Sequence, residues 1–158
     1  SFSLKITQYP NLVVMQTFSK ALGLAAARIG MAFADQEIIK YFFRMKPPYN
    51  ISTINQAAAL QKLDEISESR DQVKRIIEER SRLVKSLAKL KVVEKIFPSD
   101  ANFLLVRVKD ANYIYKMLLE KGIIVRNRSR MISNCLRITV CTADENSRMI
   151  SEFEKITL

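Results

Sequence analysis

Thr17-Phe18-Ser19-Lys20-Ala21-Leu22-Gly23-Leu24-Ala25-Ala26-Ala27-Arg28-Ile29-Gly30 is the stretch on which the reading of this chain turns. The apolar run before it, residues 12–18 (LVVMQTF), predicts a buried strand, and residues 28–34 (RIGMAFA) predict a second. Lys20 therefore stands alone in a turn directly after a strand, with Arg28 eight residues on. Lysine is poorly suited to an apolar setting unless paired, exposed or functional. A buried amine has its charged form disfavoured, which frees the neutral nucleophile that condenses with an aldehyde. The hydroxyls of Thr17 and Ser19 with the Arg28 guanidinium are donors suited to a phosphate. On the residues alone, a surface lysine and a structural arginine account for the same pattern more simply.

Composition narrows the classes of function around that stretch. Of 158 residues, 26 are Lys or Arg, 16 are Asp or Glu and none is His, giving a formal charge of +10. The absence of histidine excludes His-dependent triads, His-containing zinc sites and His proton shuttles from this stretch of polypeptide. Two cysteines, Cys135 and Cys141, are too few for a four-ligand zinc site, and no metal site is expected. They flank a predicted strand and read as small core residues, which demands no oxidising compartment. The longest apolar stretch, residues 22–34, is interrupted by Arg28 and too short to span a bilayer. No signal-like segment opens the chain, so a cytoplasmic protein is the expectation.

Positive charge is spread along the chain, with one local cluster: Lys121, Arg126, Arg128, Arg130 and Arg137, with no acidic residue between them. The cluster suits an anion, or simply a solvated loop. No aromatic residues interleave with it, and nucleic acid is not expected as a partner. The three glycines are few for a complete nucleotide-binding α/β domain, which implies an incomplete one.

Outside the lysine stretch the pattern alternates. Asp35 is placed to cap a helix carrying Ile38, Ile39, Phe42 and Phe43, which Pro47-Pro48 must end. Ser52 or Thr53 caps a helix with a small Ala57-Ala58-Ala59 face. Residues 69–90 hold Val73, Ile76, Ile77, Leu83, Val84, Leu87 and Leu90 on one helical stripe. Strands are then predicted at 92–97, 103–108, 123–126 and 135–140, with helices at 111–120 and 143–156, the last capped by Thr142. This is a small α/β layer domain with a helix-covered sheet.

The lysine stretch resembles the motif of fold type I pyridoxal-phosphate-dependent aminotransferases, a Ser/Thr-x-Ser-Lys turn running into Gly-Leu-x-x-x-Arg-x-Gly. Further segments resemble the C-terminal half of the histidinol-phosphate aminotransferases, from Tyr9 to Ile156. They are Tyr9–Val14, Pro47-Pro48-Tyr49-Asn50, Phe97–Phe103, Gly122–Arg126 and Asn134–Val140, in that order. The fold class implied is α/β, the C-terminal part of a fold type I transferase. Residues 1–66 would complete the large cofactor-binding domain with its linking helices, and 67–158 would form the small C-terminal domain.

By that resemblance Lys20 is the catalytic lysine that holds pyridoxal 5'-phosphate and then moves the substrate proton. Thr17, Ser19 and Arg28 would bind the cofactor phosphate. Arg137 matches the arginine that grips the anionic end of the amino substrate, and Arg126 a second arginine lining that site. The implied reaction exchanges an amino group between histidinol phosphate and 2-oxoglutarate in histidine biosynthesis, in a homodimer. Aromatic-amino-acid aminotransferases and threonine-phosphate decarboxylases share the lysine motif and remain alternatives, as does a non-catalytic anion-binding module. Ala26 replaces the usual Gly and Gln16 an Arg that often precedes the Thr. The Asp-x-Ala-Tyr strand that holds the pyridine ring in the family is not among these residues, so this chain alone is expected to be inactive. Its uncovered apolar strands are expected to drive association, with the Tyr49-Asn50 loop near the contact.

Overall fold

A computed structural model describes residues 2–157, and they divide into two compact units, one up to Asp71 and one from Gln72. The first unit opens with a short 3-10 helix (Phe2–Lys5), followed by strands β1 (Val14–Thr17) and β2 (Gly30–Phe33). These two pair antiparallel, Thr17 opposite Gly30 and Val14 opposite Phe33. The expected burial of these strands does not hold: every β2 residue is exposed, and in β1 only Val14 is partly covered. The small core of this unit is elsewhere, made of Phe18, Ala27, Ile29 and Ala59 with Leu22, Leu24 and Ile51 against it.

Two helices follow as predicted. Helix α1 (Gln36–Met45) starts where the Asp35 carboxylate accepts the Glu37 N–H at 2.9 Å and stops before Pro47. Such a cap is worth about 1 kcal/mol. Helix α2 (Thr53–Asp64) starts at Ser52, whose hydroxyl accepts the Asn55 N–H at 3.2 Å. No residue of α1 is buried, and Phe43 and Met45 are largely exposed.

Helix α3 (Ile66–Leu87) begins three residues before the expected start, and the division between the units falls within it. The second unit is a four-stranded antiparallel sheet in the order β3-β4-β6-β5, built from Val93–Ile96, Phe103–Val108, Cys135–Thr139 and Arg126–Asn127 respectively. A register shift between Val93 and Lys95 puts a bulge in β3. Helices α4 (Ala111–Glu120) and α5 (Ala143–Glu154) complete it. Burial alternates strictly along β4: Leu104, Val106 and Val108 are in the core, and Phe103, Leu105 and Arg107 are on the other face. That core includes Leu83, Leu87, Ile114, Leu118, Leu136 and Phe153, so the helices cover one side of the sheet.

Turn chemistry explains where these elements stop. Gly122 ends α4 at φ +69°, a conformation with little penalty only for glycine. Thr142 and Glu145 form a reciprocal capping box at the start of α5. Between α3 and α5, the Glu79 carboxylate accepts from Arg82 at 2.8 Å and from the buried Asn146 amide at 3.1 Å. The Arg82 bond, with that of Asn146, holds the Glu79 carboxyl below its ordinary range. Two expectations are corrected here. The strand at 123–126 is only Arg126–Asn127, because the turn at Lys121 and Gly122 is followed by irregular backbone through Ile123, Ile124 and Val125. Cys135 is fully buried as expected, but Cys141 is exposed, lying just beyond β6 in the approach to α5.

Candidate functional site

The lysine turn is a long loop pinned at its base. β1 and β2 bring its ends together, and the Phe18 N–H donates to the Ile29 carbonyl at 3.1 Å. Phe18, Ala27 and Ile29 plug the base, while Thr17, Lys20 and Arg28 stay exposed. The Thr17 hydroxyl lies 2.9 Å from the Ser19 hydroxyl, which it can reach as donor, and accepts the Ser19 N–H at 3.1 Å. Leu24 N–H closes onto the Phe18 carbonyl, with Gly23 at φ +69° making the turn. The structure thus puts Thr17, Ser19, Lys20 and Arg28 on one loop. The argument from a buried amine fails within this chain, since Lys20 is exposed.

Arg28 is held in a left-handed conformation, φ +52°, between buried Ala27 and Ile29. A non-glycine residue there stores about 1–2 kcal/mol, and such strain collects at ligand clamps. One guanidinium nitrogen donates to the Ala25 carbonyl at 3.0 Å; the group is otherwise exposed. Two hydroxyls and a guanidinium beside a primary amine fit a ligand carrying both a phosphate and an aldehyde.

In the second unit, Arg126 on β5 lies directly opposite Arg137 on β6. Both line a cleft of about 490 Å³ with Tyr115, Asn127 and Thr139. Like charges directly opposite on neighbouring strands are destabilising. Among the described residues, neither arginine has a carboxylate within 4.0 Å. The Arg137 Nε is buried without a hydrogen-bond partner among the described residues. Two guanidiniums facing one cleft without a counter-ion suit a bidentate carboxylate or a phosphate.

The remaining members of the charge cluster do not join them in this cleft. Arg128 pairs its backbone N–H with the Cys135 carbonyl and its side chain with the Met131 sulfur. Lys121 and Arg130 are exposed and do not line the cleft. Three residues near the arginines were not singled out by sequence reasoning: Phe103, Arg107 and Tyr115. Alternation in FLLVRV was a usable signal for the first two, since it sets Phe103, Leu105 and Arg107 on the face of β4 away from the helices. Tyr115 carried no signal. Among the described residues there is no cluster of metal-ligating side chains and no helix long and apolar enough to cross a membrane.

Comparison with known proteins places the chain in a family. A family model described as aminotransferase class I and II matches residues 3–153. The histidinol-phosphate aminotransferase of Flavobacterium psychrophilum is 49% identical over 148 residues, which are 92% of this chain and 42% of that protein. Among solved structures, the histidinol-phosphate aminotransferase from Clostridium acetobutylicum has the same fold, with a TM-score of 0.84 at 22% identity over 98% of this chain and 48% of that one. The enzyme of that name from Sinorhizobium meliloti, solved in complex with pyridoxal-5'-phosphate, gives a TM-score of 0.73 at 28% identity, covering 92% and 41%. The chain spans less than half the length of these relatives.

Proposed function

Because the chain belongs to the class I and II aminotransferases, we propose that it is the C-terminal part of a pyridoxal-phosphate-dependent histidinol-phosphate aminotransferase. The whole enzyme exchanges an amino group between histidinol phosphate and 2-oxoglutarate in histidine biosynthesis, in the cytoplasm. Residues 1–66 belong to its large cofactor domain and 67–158 to its small domain. The observation that carries this reading is the directly opposed Arg126–Arg137 pair, facing a cleft without a carboxylate, in a chain that also holds the Lys20 turn. A surface lysine with a structural arginine does not account for both.

Each residue then has a task. Thr17, Ser19 and Arg28 would hold the cofactor phosphate with their hydroxyls and guanidinium. Lys20 Nζ would hold the cofactor by its aldehyde, and is the amine that would move the proton at the substrate α-carbon. The bound cofactor supplies the electron sink that makes that carbon acidic. Arg137 and Arg126 hold the substrate by its phosphate or carboxylate.

The exposed apolar side chains of the first unit support a homodimer and a missing remainder of the large domain. Tyr49 is 98% exposed and Met45 81%, more than a finished surface shows for residues this size. The chain by itself is therefore proposed not to turn over substrate. Borohydride reduction of the full-length protein with pyridoxal phosphate, followed by peptide mapping, should place the label on Lys20. Label scattered over surface lysines would reject the assignment.

A further inference from the structure

The reading above gives the Phe97–Phe103 segment no task, yet its last residue is against the substrate arginine. We propose that Phe103 is a positioning residue for Arg137, holding its guanidinium face-on so that the in-plane N–H groups point at the substrate anion. The proposal rests on the assignment of Arg137 to that anion.

The Arg137 guanidinium carbon is 5.2 Å from the centroid of the Phe103 ring. In the β4–β6 register Leu105 faces Arg137 and Phe103 faces Thr139, so Phe103 and Arg137 are diagonal neighbours on one face of the sheet. Aromatic and long side chains reach each other at that offset. All guanidinium donors lie in the plane of the group. A ring carries no in-plane acceptor and need occupy none of them, whereas a carboxylate there would consume two. The wall also answers a problem set by Arg126, whose like charge opposes Arg137 from the other side of β6. An attraction to the ring holds Arg137 in place against that repulsion. The buried, unpartnered Nε shows that the side chain has given up water on this path without gaining a protein acceptor.

Phe103 is itself fixed by the turn before it. The Ser99 hydroxyl donates to the Phe103 carbonyl at 2.7 Å and accepts the Ala101 N–H at 3.1 Å. Arg80 on α3 donates to the Ala101 carbonyl at 2.8 Å, and the Val140 N–H to the Asn102 carbonyl at 2.9 Å. A ring whose only task was to fill space would not need its backbone tied at three successive residues.

The test uses the full-length enzyme loaded with pyridoxal phosphate and the variants Phe103→Leu, Phe103→Met and Phe103→Tyr. It measures kcat, KM for histidinol phosphate, and Kd for inorganic phosphate by calorimetry. Leu and Met should raise both KM and Kd by roughly 3- to 10-fold, the size of a partly desolvated cation–aromatic contact. Within the same variants kcat should change less than about 2-fold, since the contact acts on binding alone. Tyr, which keeps the ring, should restore both constants. If Phe103→Leu does not fold, the Met and Tyr variants decide alone: Met raising the constants and Tyr not doing so supports the proposal. Equal values for all three rings and chains would overturn it, provided Arg137→Ala raises KM and Kd. If Arg137→Ala also leaves both unchanged, the assignment of Arg137 itself falls.

Discussion

The two units of this chain have similar kinds of sequence and opposite fates. Among the described residues, the second unit gathers sixteen buried apolar side chains into one core, and the first gathers four. The difference is not apolar content, since α1 and β1–β2 are rich in Phe, Met and Ile. It lies in whether helices cover the strands. In the second unit α3, α4 and α5 close one face of the sheet. In the first, the residues of the strands that carry the lysine loop are exposed except for the partly covered Val14. The unit with the weaker core thus holds the proposed chemistry, and the unit with the stronger core holds the proposed grip on substrate.

Replacing Lys20 should break the comparison most sharply. In the full-length enzyme Lys20→Ala should lower kcat by at least about 10³-fold, within the range for losing a positioned base together with a nucleophile. Thermal unfolding of the cofactor-free enzyme should be almost unchanged, because the Lys20 side chain is exposed. A large drop in Tm would mean that Lys20 is structural.

Phe153→Ala is the converse. Phe153 is 1% exposed in the second core, and truncation should cost about 3–5 kcal/mol. Hydrogen exchange of the full chain should show protection lost across β4 and β6, while β1 and β2 amides exchange as before. Equal loss in both units would show that they unfold as one.

A smaller effect separates the two anion sites. Arg28→Ala should weaken retention of pyridoxal phosphate, and Arg137→Ala should leave it bound while raising KM, each by about 10²-fold for a lost charge-assisted pair. Equal loss of cofactor in both variants would remove the distinction between the loops.

The smallest effect is a pH dependence confined to the second unit. Glu79 is held below its ordinary 4.5, first by the hydrogen bond from Arg82. A carboxyl whose folded value is lowered contributes stability above the unfolded value and loses it as pH falls through the folded one. Stability of the second unit should therefore drop below about pH 4.5 more steeply than in Glu79→Gln, measured by urea unfolding across pH 2–6. Identical slopes in both proteins would dismiss the Glu79–Arg82 pair as a contributor.

Much of this was legible because local signals and tertiary structure agree. Asp35, Ser52 and Thr142 cap the helices expected of them. FLLVRV reads as a half-buried strand and is one. The Lys20 stretch stood out through its resemblance to the aminotransferase motif, whereas the residues alone favoured a surface lysine and a structural arginine. What was not legible depended on neighbours far along the chain. Nothing in LVVMQTF says whether helices cover it, so its exposure was missed. Cys141 looks like Cys135 in sequence, yet only one falls on β6. The Phe103–Arg137 contact needs the β4–β6 register, which no single segment contains.

The bulge between Val93 and Lys95 has a consequence for crowding. β3 ends the second sheet on one side and β5, only two residues long, ends it on the other. A kinked border bearing a lysine and a border two residues wide are both poor templates for an incoming strand. Side-by-side growth into fibrils is therefore blocked at the second sheet. β1 and β2 have no such guard, each offering an unkinked rim. Aggregates of the isolated chain should thus be seeded at the hairpin that bears the lysine loop, and a proline placed at Met15 or Ala32 should slow them.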